Sequence, residues 1–246
     1  KHAASMGGSQ IWLEEGEQMS VDDIIKAVCI KSANDAAVVL AELVGGSEEV
    51  FASMMNERAK ELGMTKTHFV NASGLDAEGH LSTARDISLM SRALMRHDKI
   101  FEYTKIWMDT LRGGKTELVN TNKLIRYYEG ATGLKTGTTD GAGSCLSATA
   151  ERDGLSLIGV VMGFENSKLR NAAAKKLLDF GFANFKIVTP EISEDIPDSL
   201  EVVGGVEERV ALTTAEITSI LLNKSSDGKI EQNVTISGHL KAPVEK

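Results

Sequence analysis

The sequence predicts an α+β fold: an antiparallel sheet packed with helices, followed by a small β-rich C-terminal domain. Three observations predict it. Apolar residues recur at helical spacing from about residue 20 to 62, again after Thr83, and again after Asn166. Between residues 131 and 164 the pattern becomes strand-like, with Cys145–Ala150 and Leu157–Phe164 separated by an Asp153-Gly154 hairpin signal. Beyond Pro190 the chain is first acidic, then shows short alternating apolar stretches at Val202, Val203, Val206, Val210 and Leu212, and later at Val234, Ile236 and Leu240. The expected division is residues 1–188 for the main domain and 189–246 for a partial β-rich domain.

Each element has its own local reason. Residues 1–18 read as loop with a short strand at Gln10–Leu13. Ser20 is an N-cap residue with Asp23 as its capping-box-like partner, and Ile24, Ile25, Val28 and Cys29 follow at helical spacing. That helix should stop near Lys31-Ser32. A second starts at Asn34 or Asp35 and ends at Gly45-Gly46. Ser47 opens a third, which runs to Leu62-Gly63. Residues 64–82 carry turn chemistry, and Thr83 caps a helix whose apolar face is Ile87, Leu89, Met90, Ala93 and Leu94. From 110 to 130 the chain is polar, with strand-like fragments about a Gly113-Gly114 turn. The sheet strands come next, then an amphipathic helix from Asn166 to Phe180. The run Glu194–Asp198 reads as solvated linker.

Composition narrows the function. The chain has 246 residues, with 27 Lys+Arg against 35 Asp+Glu and a net charge of −8, which argues against nucleic acid as a partner. With 42% hydrophobic and 25% charged residues it is globular in composition. No run reaches the roughly 18 apolar residues of a membrane span, and Lys1–Gly8 lacks the apolar core of a signal peptide. Cys29 and Cys145 have no metal-type spacing and read as small buried hydrophobes. His2, His68, His97 and His239 form no metal spacing either, and Glu78-Gly79-His80 is too short for a zinc helix, so neither metal nor cofactor is expected. Met54 with Met55, and Met90 with Met95, read as core or helix-surface filler.

Two short strings carry the chemistry. In Ser32-Ala33-Asn34 the first and third residues cannot share a helix face, so they cooperate only on a turn, which the flanking helices predict. A hydroxyl and an amide there can relay a proton and hold a substrate amide. Alone, the triplet reads as the end of one helix and the cap of the next. Some hundred residues on, Lys135-Thr136-Gly137 sits in a predicted strand. It offers an ammonium, a directional hydroxyl donor and a residue without Cβ that lets a substrate backbone approach.

Together these strings resemble the S-x-N and K-T-G boxes of the penicillin-recognising serine enzymes. The surroundings sharpen the likeness. Asn71–His80 with Ser82–Asp86, Gly133–Gly143, and Ala174–Phe182 are each similar to segments of the D-alanyl-D-alanine carboxypeptidases of the low-molecular-mass penicillin-binding class. The resemblance covers roughly residues 1–188, and the tail is similar, less specifically, to that family's stalk domain. It implies the serine β-lactamase/transpeptidase-like fold, a bacterial extracytoplasmic location, and two ligands: a peptidoglycan stem peptide ending in D-Ala-D-Ala, and β-lactam antibiotics.

One departure matters. The family's first box, S-x-x-K, holds the nucleophilic serine. The only serine here with lysine three residues on is Ser226, before Lys229. Ser226-Asp227-Gly228 reads as a turn, whereas the box needs a helix, and the match falls after K-T-G rather than before S-x-N. The resemblance therefore implies a chain trimmed at both ends, without the family's membrane anchor and inactive alone. An exposed strand edge would then favour a complementary N-terminal fragment as partner.

The implied reaction is acyl transfer. The serine outside this chain attacks the carbonyl between two terminal D-alanines, and water hydrolyses the acyl-enzyme. By resemblance, Ser32 shuttles the proton to the leaving amine and Asn34 binds the substrate amide. Lys135 gives electrostatic support, Thr136 contacts the terminal carboxylate beside Gly137, and the Thr138 N–H is one oxyanion donor. One such donor is worth about 10²–10³ in rate. Arg170 reads either as a further carboxylate ligand or, more simply, as a solvated arginine. Asp76 and His80 read as loop structure at the rim of the cleft. Two other functions compete: a non-catalytic peptidoglycan- or penicillin-binding homologue, and a β-lactamase, for which no glutamate is evident to activate the deacylating water.

Overall fold

The computed structural model describes residues 1–190, 197–212, 219–226 and 238–242. Its packing divides into two units, Lys1–Gly181 and Phe182–Lys246. In the first, Ser20 caps helix α1 (Val21–Lys26) by accepting the Asp23 N–H at 3.0 Å. The helix then widens into a π-helical turn (Ala27–Lys31) and stops at Ser32, in the left-handed conformation with φ 62°. Ala33 is extended, and α2 (Asn34–Gly45) begins at once, ending at the left-handed Gly46. Ser47 caps α3 (Glu48–Glu61) and Thr83 caps α4 (Ala84–Leu94), each through its hydroxyl.

These helices meet through small side chains. Ala27, Ile30, Ala33 and Ala36 bury themselves with Ile11, Ile24, Leu111 and Leu118 in one core cluster. Alanine at those contacts lets α1 and α2 approach closely, while each buried Ile or Leu contributes roughly 1.5–3 kcal/mol. Leu111 and Leu118 come from a hairpin, β1 (Met108–Leu111) and β2 (Thr116–Val119), that turns at Gly113-Gly114. Two one-turn helices, α5 (Phe101–Thr104) and α6 (Leu124–Tyr127), have no counterpart in the periodicity, since four residues are too few to show a period.

The main sheet is antiparallel, in the order β3 (Ala131–Thr139), β4 (Gly143–Arg152), β5 (Leu155–Phe164). Asp153 and Gly154 both have positive φ, as a two-residue hairpin turn requires. Leu146, Ala148 and Ala150 of β4 are buried, and Ser147 is tied to Ser91 of α4 at 2.7 Å. Helix α7 (Ser167–Asn184) lays Ala174 and Leu178 into the core, with Leu177 and Leu178 packed over Gly159 of β5. Among the described strands β3 is an edge strand of this sheet.

In the second unit β6 (Phe185–Val188) pairs with β9 (Ile220–Asn223). Strand β7 (Ser199–Val203) lies between β8 (Arg209–Ala211) and β10 (His239–Lys241), antiparallel to the first and parallel to the second. The β-rich tail is therefore present in the described residues. Val234, Ile236, Lys229 and most of the expected linker at 194–198 fall outside them.

The expected strand at Gln10–Leu13 does not form. Trp12 has φ 59°, which breaks the extended run. The Ile11 and Leu13 N–H groups donate to the carboxylate of Asp35 at 3.0–3.2 Å instead of to a neighbouring strand. No described helix is long and apolar enough to cross a membrane.

Candidate active site

Ser32 and Lys135 meet although 103 residues separate them. Lys135 Nζ donates to Ser32 Oγ at 2.6 Å and to the Thr136 carbonyl at 2.8 Å. A third segment holds the two motifs in place. The Thr121 N–H donates to the Ile30 carbonyl on the π-helical turn at 3.0 Å, and Thr121 Oγ1 shares a 2.7 Å hydrogen bond with Thr136 Oγ1. Its flanks, Asn120 and Asn122, are buried. Asn120 Nδ2 donates to the Ile106 carbonyl at 2.7 Å, Asn120 Oδ1 accepts the Asn122 N–H, and Asn122 Nδ2 donates to the Gly133 carbonyl at 2.8 Å. Each of these buried polar groups is satisfied, as a stable interior requires. A Cβ on Gly133 would meet Thr104 at 3.0–3.1 Å, so glycine lets β3 seat against α5.

The Ser32 turn has the geometry the sequence demanded. The left-handed Ser32 is a C-cap without glycine, which costs about 1–2 kcal/mol, and it puts the hydroxyl beside Lys135 rather than along the helix. Asn34 is buried at the start of α2. Its side-chain amide donates to the Gly7 carbonyl at 2.8 Å and its backbone N–H to the Ser9 carbonyl at 2.7 Å.

Burial pushes the Lys135 ammonium down to about 8, helped by the charge of Arg170. Lys135 is thus mostly charged at neutral pH but within reach of deprotonation. Burial pushes the Cys29 thiol up to about 11, so it stays neutral. Cys29 and Cys145 are half-buried free thiols rather than fully buried hydrophobes.

On β3, Thr136 is buried while Gly137 and Thr138 are exposed. No atom lies within 4 Å of where a Gly137 Cβ would be, so this face of the edge strand is open. The turn beyond is clamped by the loop before α4: Asp76 Oδ2 accepts the Gly141 N–H at 3.0 Å. A hydrogen bond from Thr139 and the one from Gly141 hold the Asp76 carboxyl below the usual range. His80 Nδ1 accepts the Val70 N–H and the ring packs edge-on against Phe69 at 5.8 Å.

Arg170 is not solvated. It is 3% exposed, on the first turn of α7, with Nε and Nη2 donating to Asn171 Oδ1 at 3.0–3.1 Å. Sequence spacing cannot show that the β4 backbone at Cys145 covers this position, with Nη1 3.5 Å from the Cys145 carbonyl. Among the described residues it has no carboxylate within ion-pair distance, and no group of three or more His, Cys, Asp or Glu could hold a metal. Thr121 and Asp35 carry no motif signal and emerge only from the structure.

Helices packed on an antiparallel sheet, with a β-rich region beyond, make up an architecture shared with the penicillin-binding and β-lactamase-like proteins. A peptidoglycan synthesis regulatory factor (PBP3) from Streptococcus pneumoniae superposes with a TM-score of 0.79 at 26% identity, covering 99% of this chain and 73% of that one. Penicillin-binding protein D2 from Listeria monocytogenes, solved with cefotaxime bound, superposes with a TM-score of 0.63 at 38% identity over 68% of each chain. A family model described as D-alanyl-D-alanine carboxypeptidase matches residues 1–166, and the chain belongs to that family. It is 41% identical to the D-alanyl-D-alanine carboxypeptidase DacF of Bacillus subtilis over its full length, spanning 64% of that relative.

Proposed function

We propose that this chain carries the substrate-holding part of a serine-type D-Ala-D-Ala carboxypeptidase of the bacterial cell envelope. The enzyme removes the last D-alanine from peptidoglycan stem peptides through an acyl-enzyme and is acylated by β-lactams. The observation that carries the reading is the 2.6 Å contact between Lys135 Nζ and Ser32 Oγ, which brings two distant motifs to one open edge strand. Ser32, bonded to Lys135, passes a proton to the departing amine, and Asn34 holds the peptide amide. The backbone of Gly137 and Thr138 receives the peptide along β3, the Thr138 N–H facing the developing oxyanion. Thr136 meets the terminal carboxylate. Arg170, buried without a counter-ion among the described residues, adds the positive charge that attracts it.

The one serine followed three residues on by lysine, Ser226 before Lys229, has the sequence of a turn and falls after the K-T-G string, so these 246 residues alone should bind ligand but not turn it over. Incubation with benzylpenicillin, followed by equilibrium dialysis and intact-mass measurement, tests this. The expected result is reversible retention with no mass increase. A stable adduct would place a nucleophile among these serines, and no retention at all would remove the β-lactam reading.

A further inference from the structure

Next to the Ser32 turn the chain builds a surface that the carboxypeptidase reading leaves unused. Trp12 is 73% exposed and held at φ 59°, a conformation that a bulky side chain does not adopt unaided. Two clamps impose it. Asp35, fully buried, takes the N–H groups on either side of Trp12. From the other side Arg112, itself at φ 55°, donates to the Ile11 carbonyl at 2.8 Å and to the Trp12 carbonyl at 3.4 Å, while Glu17 grips its guanidinium at 2.6 and 2.9 Å. Nothing in the core needs an indole there, and the polar clamps spend their hydrogen bonds on keeping it outside. Strain held by surrounding structure points to use.

The indole lines an open cavity of about 860 Å³, together with Gln10, Glu14, Lys31, Lys115 and Glu117. Acidic and basic side chains line it together with one flat apolar plate. That set suits a neutral polyhydroxylated ring, whose apolar face covers the indole while its hydroxyl and amide groups meet the rim. It suits a polyanion poorly. The cavity and the proposed peptide site are neighbours along the chain, because Lys31, which lines the cavity, immediately precedes Ser32. Ser9, three residues before Trp12, accepts the Asn34 N–H, which leaves no more than about 11 Å of chain between them.

We infer that Trp12 and its cavity form a carbohydrate subsite that takes an N-acetylated amino-sugar unit of the glycan to which the stem peptide is attached. The inference rests on the peptide-site reading, and its test separates the two. The indole N–H resonances of the chain's two tryptophans, Trp12 and Trp107, are followed by NMR as chitotetraose is added, and the backbone amides of β3 as N-acetyl-D-Ala-D-Ala is added. The sugar should shift the Trp12 resonance saturably and leave Trp107 in place. Trp12→Gly, comfortable at this φ, should weaken sugar binding at least about tenfold and Trp12→Phe much less. In both variants the dipeptide should still shift β3, and the Ile11 and Leu13 amides report whether the loop is intact. A Trp12 resonance indifferent to the sugar, or equal sugar affinity in Trp12→Gly, overturns the subsite whatever the dipeptide does. A failure of the dipeptide alone, with Trp12 still responding, overturns the peptide-site reading and leaves the subsite standing.

Discussion

Lys135 holds its ammonium where burial opposes it, and that opposition can be measured. Its folded pKa, about 8, lies below the ordinary 10.5. Between those values the unfolded chain binds more protons than the folded one, so stability rises with pH across this window. Below pH 8 the penalty is fully present, about 3 kcal/mol. Lys135→Met should therefore be more stable than the natural chain at pH 7, and the difference should close toward pH 10.5. Denaturant titrations at three pH values check this; a difference that does not change with pH contradicts the burial of the charge. Little of this was legible in advance. The sequence shows a lysine in a strand, but its partner hydroxyl lies 103 residues away and Thr121, which fixes both, sits in an undistinguished polar stretch. Arg170 is the sharper case. Its position on an amphipathic helix suggests solvent, whereas the fold buries it with Nη1 3.5 Å from the Cys145 carbonyl of β4.

At the scale of elements, what is encoded locally is legible. Ser20, Ser47 and Thr83 cap their helices as their spacing predicts, and the Asp153-Gly154 hairpin turns where it should, because each device acts within four residues. The segment 9–13 is not legible, because its backbone is satisfied by a carboxylate more than twenty residues on. Asp35→Ala would leave the buried Ile11 N–H and the partly buried Leu13 N–H without acceptors and should cost about 2–4 kcal/mol. Thermal or chemical unfolding gives the magnitude. Faster hydrogen exchange at Ile11 and Leu13 would tie the loss to this loop, and protection unchanged from the natural chain would show that Asp35 does not hold it. The opposite is expected on β3. Gly137→Ala meets nothing within 4 Å, so it should leave stability unchanged while reducing ligand binding, since the added methyl stands where the proposed function lays the ligand backbone.

For the molecule as a whole, the family match over residues 1–166 and the superposition on penicillin-binding proteins fix the fold, and the Ser32–Lys135 contact turns that fold into a specific claim about chemistry. The motifs pointed to the family because hydroxyl, amide, lysine and glycine occur there in one order with one set of flanking strings. They could not supply the geometry, which depends on a π-helical turn, a left-handed serine and a buried asparagine bridge. The most direct test is a backbone-amide NMR titration with N-acetyl-D-Ala-D-Ala beside its L,L stereoisomer. Saturable shifts are expected at Ser32, Asn34 and Thr136–Thr138 with the D,D peptide and none with the L,L peptide. Shifts confined to other surfaces, or identical for the two stereoisomers, would contradict the proposed function.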